Sequence, residues 1–162
     1  MLQLWLMRHG EALSTAEAGV SSDEDRPLST RGREAVGRAV GVMQALGIVP
    51  DHLLASPLVR ARQTAQRAAV ALGLPDAPVI TECLSPGHSP AAVLAFLTSR
   101  KLDGIVLAVG HQPLLGHLAS ELTFGEARDS LDLEPSALCV IHLPDYPHSF
   151  QGRLHGLWNP RA

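Results

Sequence analysis

Short apolar runs that break off into a polar loop and then a helix-opening residue recur along this chain. That order constrains the fold more than any other feature. Residues 2–7 (Leu-Gln-Leu-Trp-Leu-Met) stop at Arg8-His9-Gly10, residues 52–55 stop at Ser56-Pro57, and residues 104–109 stop at Gly110-His111. Runs this short suit buried strands rather than buried helices. A further strand is expected at residues 79–81. The segments between carry helix signals. Ser29 or Thr30 caps a helix running to about Leu46, with Gly47 at its end. Pro57 opens a second, running to about Leu72 and stopped by Gly73 and Pro75. Pro90 opens a third through Leu97, and Pro113 a fourth to about Leu122. Residues 137–143 and 153–157 read as closing strands, an expected edge pair. Residues 13–27 are small, polar and acidic and read as a mobile loop. Strands alternating with helices predict a three-layer α/β/α sandwich with a largely parallel central sheet.

The 162 residues suit one domain spanning 1–162, and a 46% hydrophobic share fills one core. No repeat or low-complexity linker divides it. A net charge of −3 argues against nucleic acid as a partner. No apolar stretch reaches membrane-spanning length. The run at 2–7 is too short for a signal peptide and has no basic segment before it. A cytoplasmic protein with no membrane partner is expected. Cys83 and Cys139 lie outside any CxxC spacing and read as small core residues rather than a disulfide framework.

The chemistry concentrates where the strands end. In open α/β sheets ligands bind outside the C-terminal ends of the strands. Three loops there supply Arg8 with His9, Ser56 with Arg60 one turn into the next helix, and His111 ahead of another helix N-terminus. Two arginines, two imidazoles and two helix N-termini at one edge describe a site for a dianion, and phosphate fits best. Guanidinium forks bind two oxygens at once and stay charged at any working pH. A neutral imidazole can attack phosphorus in line and split one hard step into two. Its other nitrogen then needs an acceptor, which a backbone carbonyl near Gly10 can supply. Zinc held by His9 and His111 would need a third ligand, and none sits at a suitable spacing. No metal and no other cofactor is expected.

At these residues the chain resembles the histidine phosphatase superfamily, also called phosphoglycerate-mutase-like. The resemblance rests on four segments in order: Leu6-Met7-Arg8-His9-Gly10-Glu11, Arg26-Pro27-Leu28-Ser29-Thr30-Arg31-Gly32, Ala55-Ser56-Pro57-Leu58-Val59-Arg60-Ala61-Arg62-Gln63-Thr64-Ala65 and Val109-Gly110-His111-Gln112-Pro113. It implies that His9 is the phosphorylated nucleophile and that Arg8, Arg60 and His111 form the phosphate pocket. The small size, the absence of an inserted helical lid and the His-Gln-Pro-Leu-Leu-Gly wording are most similar to SixA-type phosphohistidine phosphatases. That subgroup acts on a histidine phosphotransfer domain of a signalling relay.

The wider family carries a glutamate acid after the third short strand, and Glu82 occupies a comparable place. The Ser85-Pro86-Gly87 that follows lacks the mutases' aromatic and basic signature. Glu82 reads equally as a solvated or capping carboxylate. A weak acid would suit P–N cleavage better than P–O cleavage, because an alkoxide leaving group needs a proton, worth roughly 10²–10⁴-fold in rate. Arg26 either steers substrate or pairs with Asp23 or Asp25, and the acidic loop 21–25 has no assigned role. Two rival readings share the pocket: a phosphomonoesterase for a small phosphorylated metabolite, and a non-catalytic phosphate-binding interaction domain. The sequence leaves oligomeric state open.

Overall fold

The computed structural model describes residues 1–129 and 131–160. The chain runs β1 (Leu2–Arg8), α1 (Thr15–Ala18), a 3-10 turn at Asp23–Asp25, α2 (Thr30–Ala45), β2 (His52–Ala55), α3 (Val59–Leu72), β3 (Val79–Ile80) and a second 3-10 turn at Glu82–Leu84. It continues with α4 (Pro90–Ser99), β4 (Gly104–Gly110), α5 (Leu114–Phe124), β5 (Leu138–Leu143) and β6 (Arg153–Trp158). The strands form a six-stranded sheet in the order β3-β2-β4-β1-β5-β6. The first four are mutually parallel, β5 lies antiparallel to β1, and β6 closes the edge antiparallel to β5.

Strand alternation builds two cores, one on each face. On β1, Leu2, Leu4 and Leu6 join one cluster, while Trp5 and Met7 join the other. On β4, Val106 and Ala108 face the first side and Leu107 and Val109 the second. Successive side chains of a strand point to opposite faces, so only a sheet covered on both sides buries such uninterrupted apolar runs. α4 and α5 cover the first face with Val93, Leu97, Leu115 and Leu118; α2 and α3 cover the second with Val36, Val40, Met43 and an alanine stripe. This is the expected three-layer α/β/α arrangement with a largely parallel sheet.

Local chemistry sets the helix starts. The Ser29 hydroxyl accepts from the Gly32 N–H at 3.0 Å, so α2 opens at Thr30 as its cap requires. α3 starts at Val59, two residues later than Pro57 suggests, because the Ser56 hydroxyl holds the Leu58 N–H in a turn at 3.3 Å. Segment 13–27 differs from the expected loop. Ser14 and Glu17 close a capping box on α1, and Ser22 caps the Asp23–Asp25 turn through the Glu24 N–H. Ser-x-x-Glu and Ser-Asp-Glu carry those short helices within an otherwise polar stretch. Cys139 is buried and Cys83 half-buried, both as free thiols. Among the described residues no helix is long and apolar enough to cross a membrane.

Candidate active site

The parallel register brings three strand exits level. Arg8 pairs with Gly110 across β1 and β4, so His9 and His111 emerge side by side. The ladder runs one step further, with the His9 N–H on the Gly110 carbonyl and the Ser56 N–H on the Val109 carbonyl, both at 3.0 Å. The His9 and His111 ring centroids stand 4.9 Å apart with planes inclined at 54°. Arg60 arrives from the first turn of α3. It shares the buried stripe with Ala61, Thr64 and Ala65, and only 6% of it is exposed.

His9 is held in one tautomer. Its Nδ1 lies 2.7 Å from the Gly10 carbonyl oxygen. A carbonyl only accepts, so Nδ1 carries the proton and Nε2 keeps its lone pair. Arg60 Nε–H points at that lone pair from 3.4 Å. The Gly10 peptide is fixed from its other side, because its N–H donates to Thr64 Oγ1 at 3.0 Å and the Thr64 hydroxyl donates to the Arg60 carbonyl at 2.8 Å. Space is tight as well: a Cβ on Gly10 would stand 2.9 Å from Val36 Cγ2.

The surroundings keep both imidazoles neutral. Burial pushes His9 down to about 4, and the charges of Arg60, Arg8 and Arg26 act in the same direction against the Gly10 hydrogen bond. Burial pushes His111 down to about 3, helped by His9, Arg60 and Arg8 and opposed by Asp23. His111 Nε2 lies 2.8 Å from the Ser56 hydroxyl, which also accepts from Leu58.

Arg8 leaves the end of β1 with Nη1 donating to the Leu133 carbonyl at 2.8 Å. Its Nε–H is buried and has no acceptor among the described residues. Such donors are rare in folded proteins, and Trp5 Nε1 and Ser136 Oγ share this state among the described residues. Burial lowers the Arg8 pKa, Asp132 and Glu134 oppose this, and the group remains a cation.

His9 and His111 therefore meet Arg60 at the strand ends, and the charge of Arg8 reaches both imidazoles, while Glu82 and Arg26 make no hydrogen bond to either ring. Glu82 opens the second 3-10 turn, is exposed, and accepts from the Ser85 hydroxyl at 3.0 Å. That turn abuts the end of β4, where the Leu84 carbonyl lies 3.5 Å from a Cβ placed on Gly110. Glu82 makes no hydrogen bond to Arg8, His9, Arg60 or His111. Arg26 pairs with Asp23 at 2.9 Å and donates through Nε to the Leu13 carbonyl at 2.7 Å, the pairing alternative drawn from its sequence. Among the described residues no group of three or more His, Cys, Asp or Glu side chains gathers to hold a metal ion.

Four contributors escaped the sequence reading. Thr64 could have been found, since it lies four residues after Arg60 on the same helix face. Leu133 and Ser136 act through their main chain, the Ser136 N–H reaching the Arg8 and His9 carbonyls at 3.1 and 3.2 Å. Backbone contacts of this kind leave no residue-type signal. Asp23 sat in an acidic run whose path was not legible.

Residues 4–84, which contain Arg8, His9 and Arg60, match the model of the histidine phosphatase superfamily, branch 1. Phosphohistidine phosphatase SixA of Escherichia coli is 32% identical over 127 residues, covering 77% of this chain and 76% of its own length. The chain belongs to the histidine phosphatase superfamily. An uncharacterised protein of Picosynechococcus sp. is 36% identical to this histidine phosphatase over 139 residues, covering 85% of this chain and 82% of that one. In three dimensions the histidine phosphatase chain superposes on the structure of the protein histidine phosphatase SixA complexed with tungstate. The TM-score is 0.86 and the identity 28%, over 98% of this chain and 97% of the other.

Proposed function

We propose that this phosphatase acts through a phospho-His9 intermediate and removes phosphate from phosphohistidine on a protein, a histidine phosphotransfer domain being the expected partner. The observation that carries the reading is the state of His9: Nδ1–H committed to Gly10, Nε2 unprotonated, and guanidinium donors around it. In the first step the Nε2 lone pair attacks phosphorus, the substrate's P–N bond breaks, and the departing imidazole takes up a proton from solvent water. In the second step water attacks phosphorus, the bond to Nε2 breaks, and orthophosphate leaves with His9 restored. Arg8 and Arg60 neutralise the equatorial oxygens. His111, once protonated beside the bound dianion, adds a further donor. No metal or nucleotide is required by any of these roles.

The substrate class follows from the leaving group. Glu82 stands exposed at the rim and bonded to Ser85, and Asp23 is held below the usual carboxylate range, chiefly by its hydrogen bond from Arg26. Neither is placed as a strong proton donor. An alkoxide leaving group suffers from that lack, whereas an imidazole leaves readily. The 32% identity to a phosphohistidine phosphatase supports the same choice. A cytoplasmic location accords with such a substrate.

The test is turnover of a phosphorylated histidine phosphotransfer domain beside a panel of sugar and nucleotide phosphates. Expected outcomes are turnover of the phosphoprotein, none in His9→Ala, a loss of about 10²–10³-fold in Arg60→Ala, and no effect of EDTA. Retained activity in His9→Ala defeats the mechanism. Strong turnover of one small phosphate, with none of the phosphoprotein, replaces the substrate by a phosphomonoester.

A further inference from the structure

Arg60 has two donor edges, and they face different partners. The edge bearing Nε–H is turned to His9 Nε2 at 3.4 Å, where the reading above puts the phosphoryl group. The far edge is taken by a single residue: Nη1 donates to the Asp23 main-chain oxygen at 2.8 Å and Nη2 to Asp23 Oδ2 at 3.1 Å. Asp23 Oδ1 accepts from Arg26 Nη1 at 2.9 Å, and Arg26 Nε is tied in turn to the Leu13 carbonyl. The Asp23–Asp25 turn sets this geometry. Ser22 caps it, and the Arg26 N–H returns to the Asp23 carbonyl at 3.3 Å.

We propose that Asp23 is a positioning residue that grips the outer fork of Arg60 so that the inner edge stays aimed at the phosphoryl site beside His9. A guanidinium at the end of a flexible side chain has many rotamers open to it. Two hydrogen bonds on one fork remove that freedom before the anion arrives, which is where preorganised donors gain their effect. The carboxylate does not compete with the anion, because it uses the edge that the anion does not need. The main-chain oxygen holds Nη1 in any variant at this position, so the side chain's own share is the Nη2 bond and the link to Arg26. The inference rests on the proposed phosphoryl site, and its test reads anion binding without requiring turnover.

The probe is tungstate, with binding measured by calorimetry on wild type, Asp23→Ala, Asp23→Asn, Arg60→Ala and the double variant Asp23→Ala/Arg60→Ala. Positioning predicts that Asp23→Ala weakens tungstate by about ten-fold, a coupling of the size found between contacting residues. It also predicts that the double variant binds no worse than Arg60→Ala alone. Asp23→Asn, which keeps shape and one acceptor oxygen, restores part of the loss and guards against misfolding of the alanine variant. Tighter binding in Asp23→Ala overturns the proposal, since Asp23 would then be an occupant that the anion displaces. Additive losses in the double variant overturn it equally, since they mark a role independent of Arg60. Failure of the phosphatase reading itself shows up elsewhere, as normal tungstate binding with no turnover of phosphohistidine protein.

Discussion

A nucleophilic imidazole needs one nitrogen bare and the other occupied, and His9 meets both needs through Gly10. With burial holding its pKa near 4, it is neutral at physiological pH, whereas an ordinary histidine is partly charged there. NMR titration of the ring should give a midpoint near 4, and a midpoint near 6.5 would contradict the enclosed, cation-flanked setting. The lock also depends on Thr64. Thr64→Val keeps the shape but leaves the buried Gly10 N–H without its acceptor. The expected cost is about 1–3 kcal/mol of stability, together with a fall in kcat, read by denaturation and turnover on the same preparation. At this scale the sequence was informative where a charged residue follows an apolar run. Arg8, His9 and His111 interrupt strands at their ends, and a polar residue there has no packing reason to exist. The contact of Asp23 with Arg60 was illegible by the same logic: in a run of exposed acids, nothing distinguishes the one whose carboxylate reaches that guanidinium.

At the level of elements, the first turn of α2 is wedged under the loop that follows His9. The Ser29 N–H donates to the Glu11 carbonyl at 2.9 Å, and the Ser29 hydroxyl bonds the Glu11 carboxylate at 3.0 Å. Gly32 lies so close that any Cβ would intrude on the Glu11 carbonyl. Gly32→Ala is therefore expected to push the loop outward, costing about 1–3 kcal/mol of overpacking and lowering kcat. Gly37→Ala on the same helix meets open space and is expected to stabilise slightly through helix propensity. Equal effects of the two substitutions in thermal denaturation would rule out the wedge. Helix positions were legible because proline, serine and glycine punctuate them by local chemistry. The place of β4 between β2 and β1 was not, since strand order depends on contacts far apart in sequence.

Over the whole molecule, the two buried histidines make stability depend on pH. Burial lowers His9 to about 4 and His111 to about 3, against an ordinary value near 6.5. Below pH 6.5 the unfolded chain binds protons on both rings that the folded chain refuses, so stability must fall as pH drops from about 6.5 towards 4. Above 6.5 both rings are neutral in either state and contribute no slope. The loss is on the order of 2–3 kcal/mol per histidine across that window. Carboxylates titrate lower in the range, so the comparison that isolates the pair is His9→Gln/His111→Gln. Denaturation of wild type and this variant at pH 8, 6.5, 5.5 and 4.5 should show a steeper decline in wild type. Tungstate at about a hundred times its Kd should raise wild-type stability by about 2.7 kcal/mol near neutrality. It should also flatten the acid slope, since a dianion against the rings favours their protonated forms. Parallel slopes for wild type and variant, with or without the anion, would mean that the two histidines are not the groups that resist protonation.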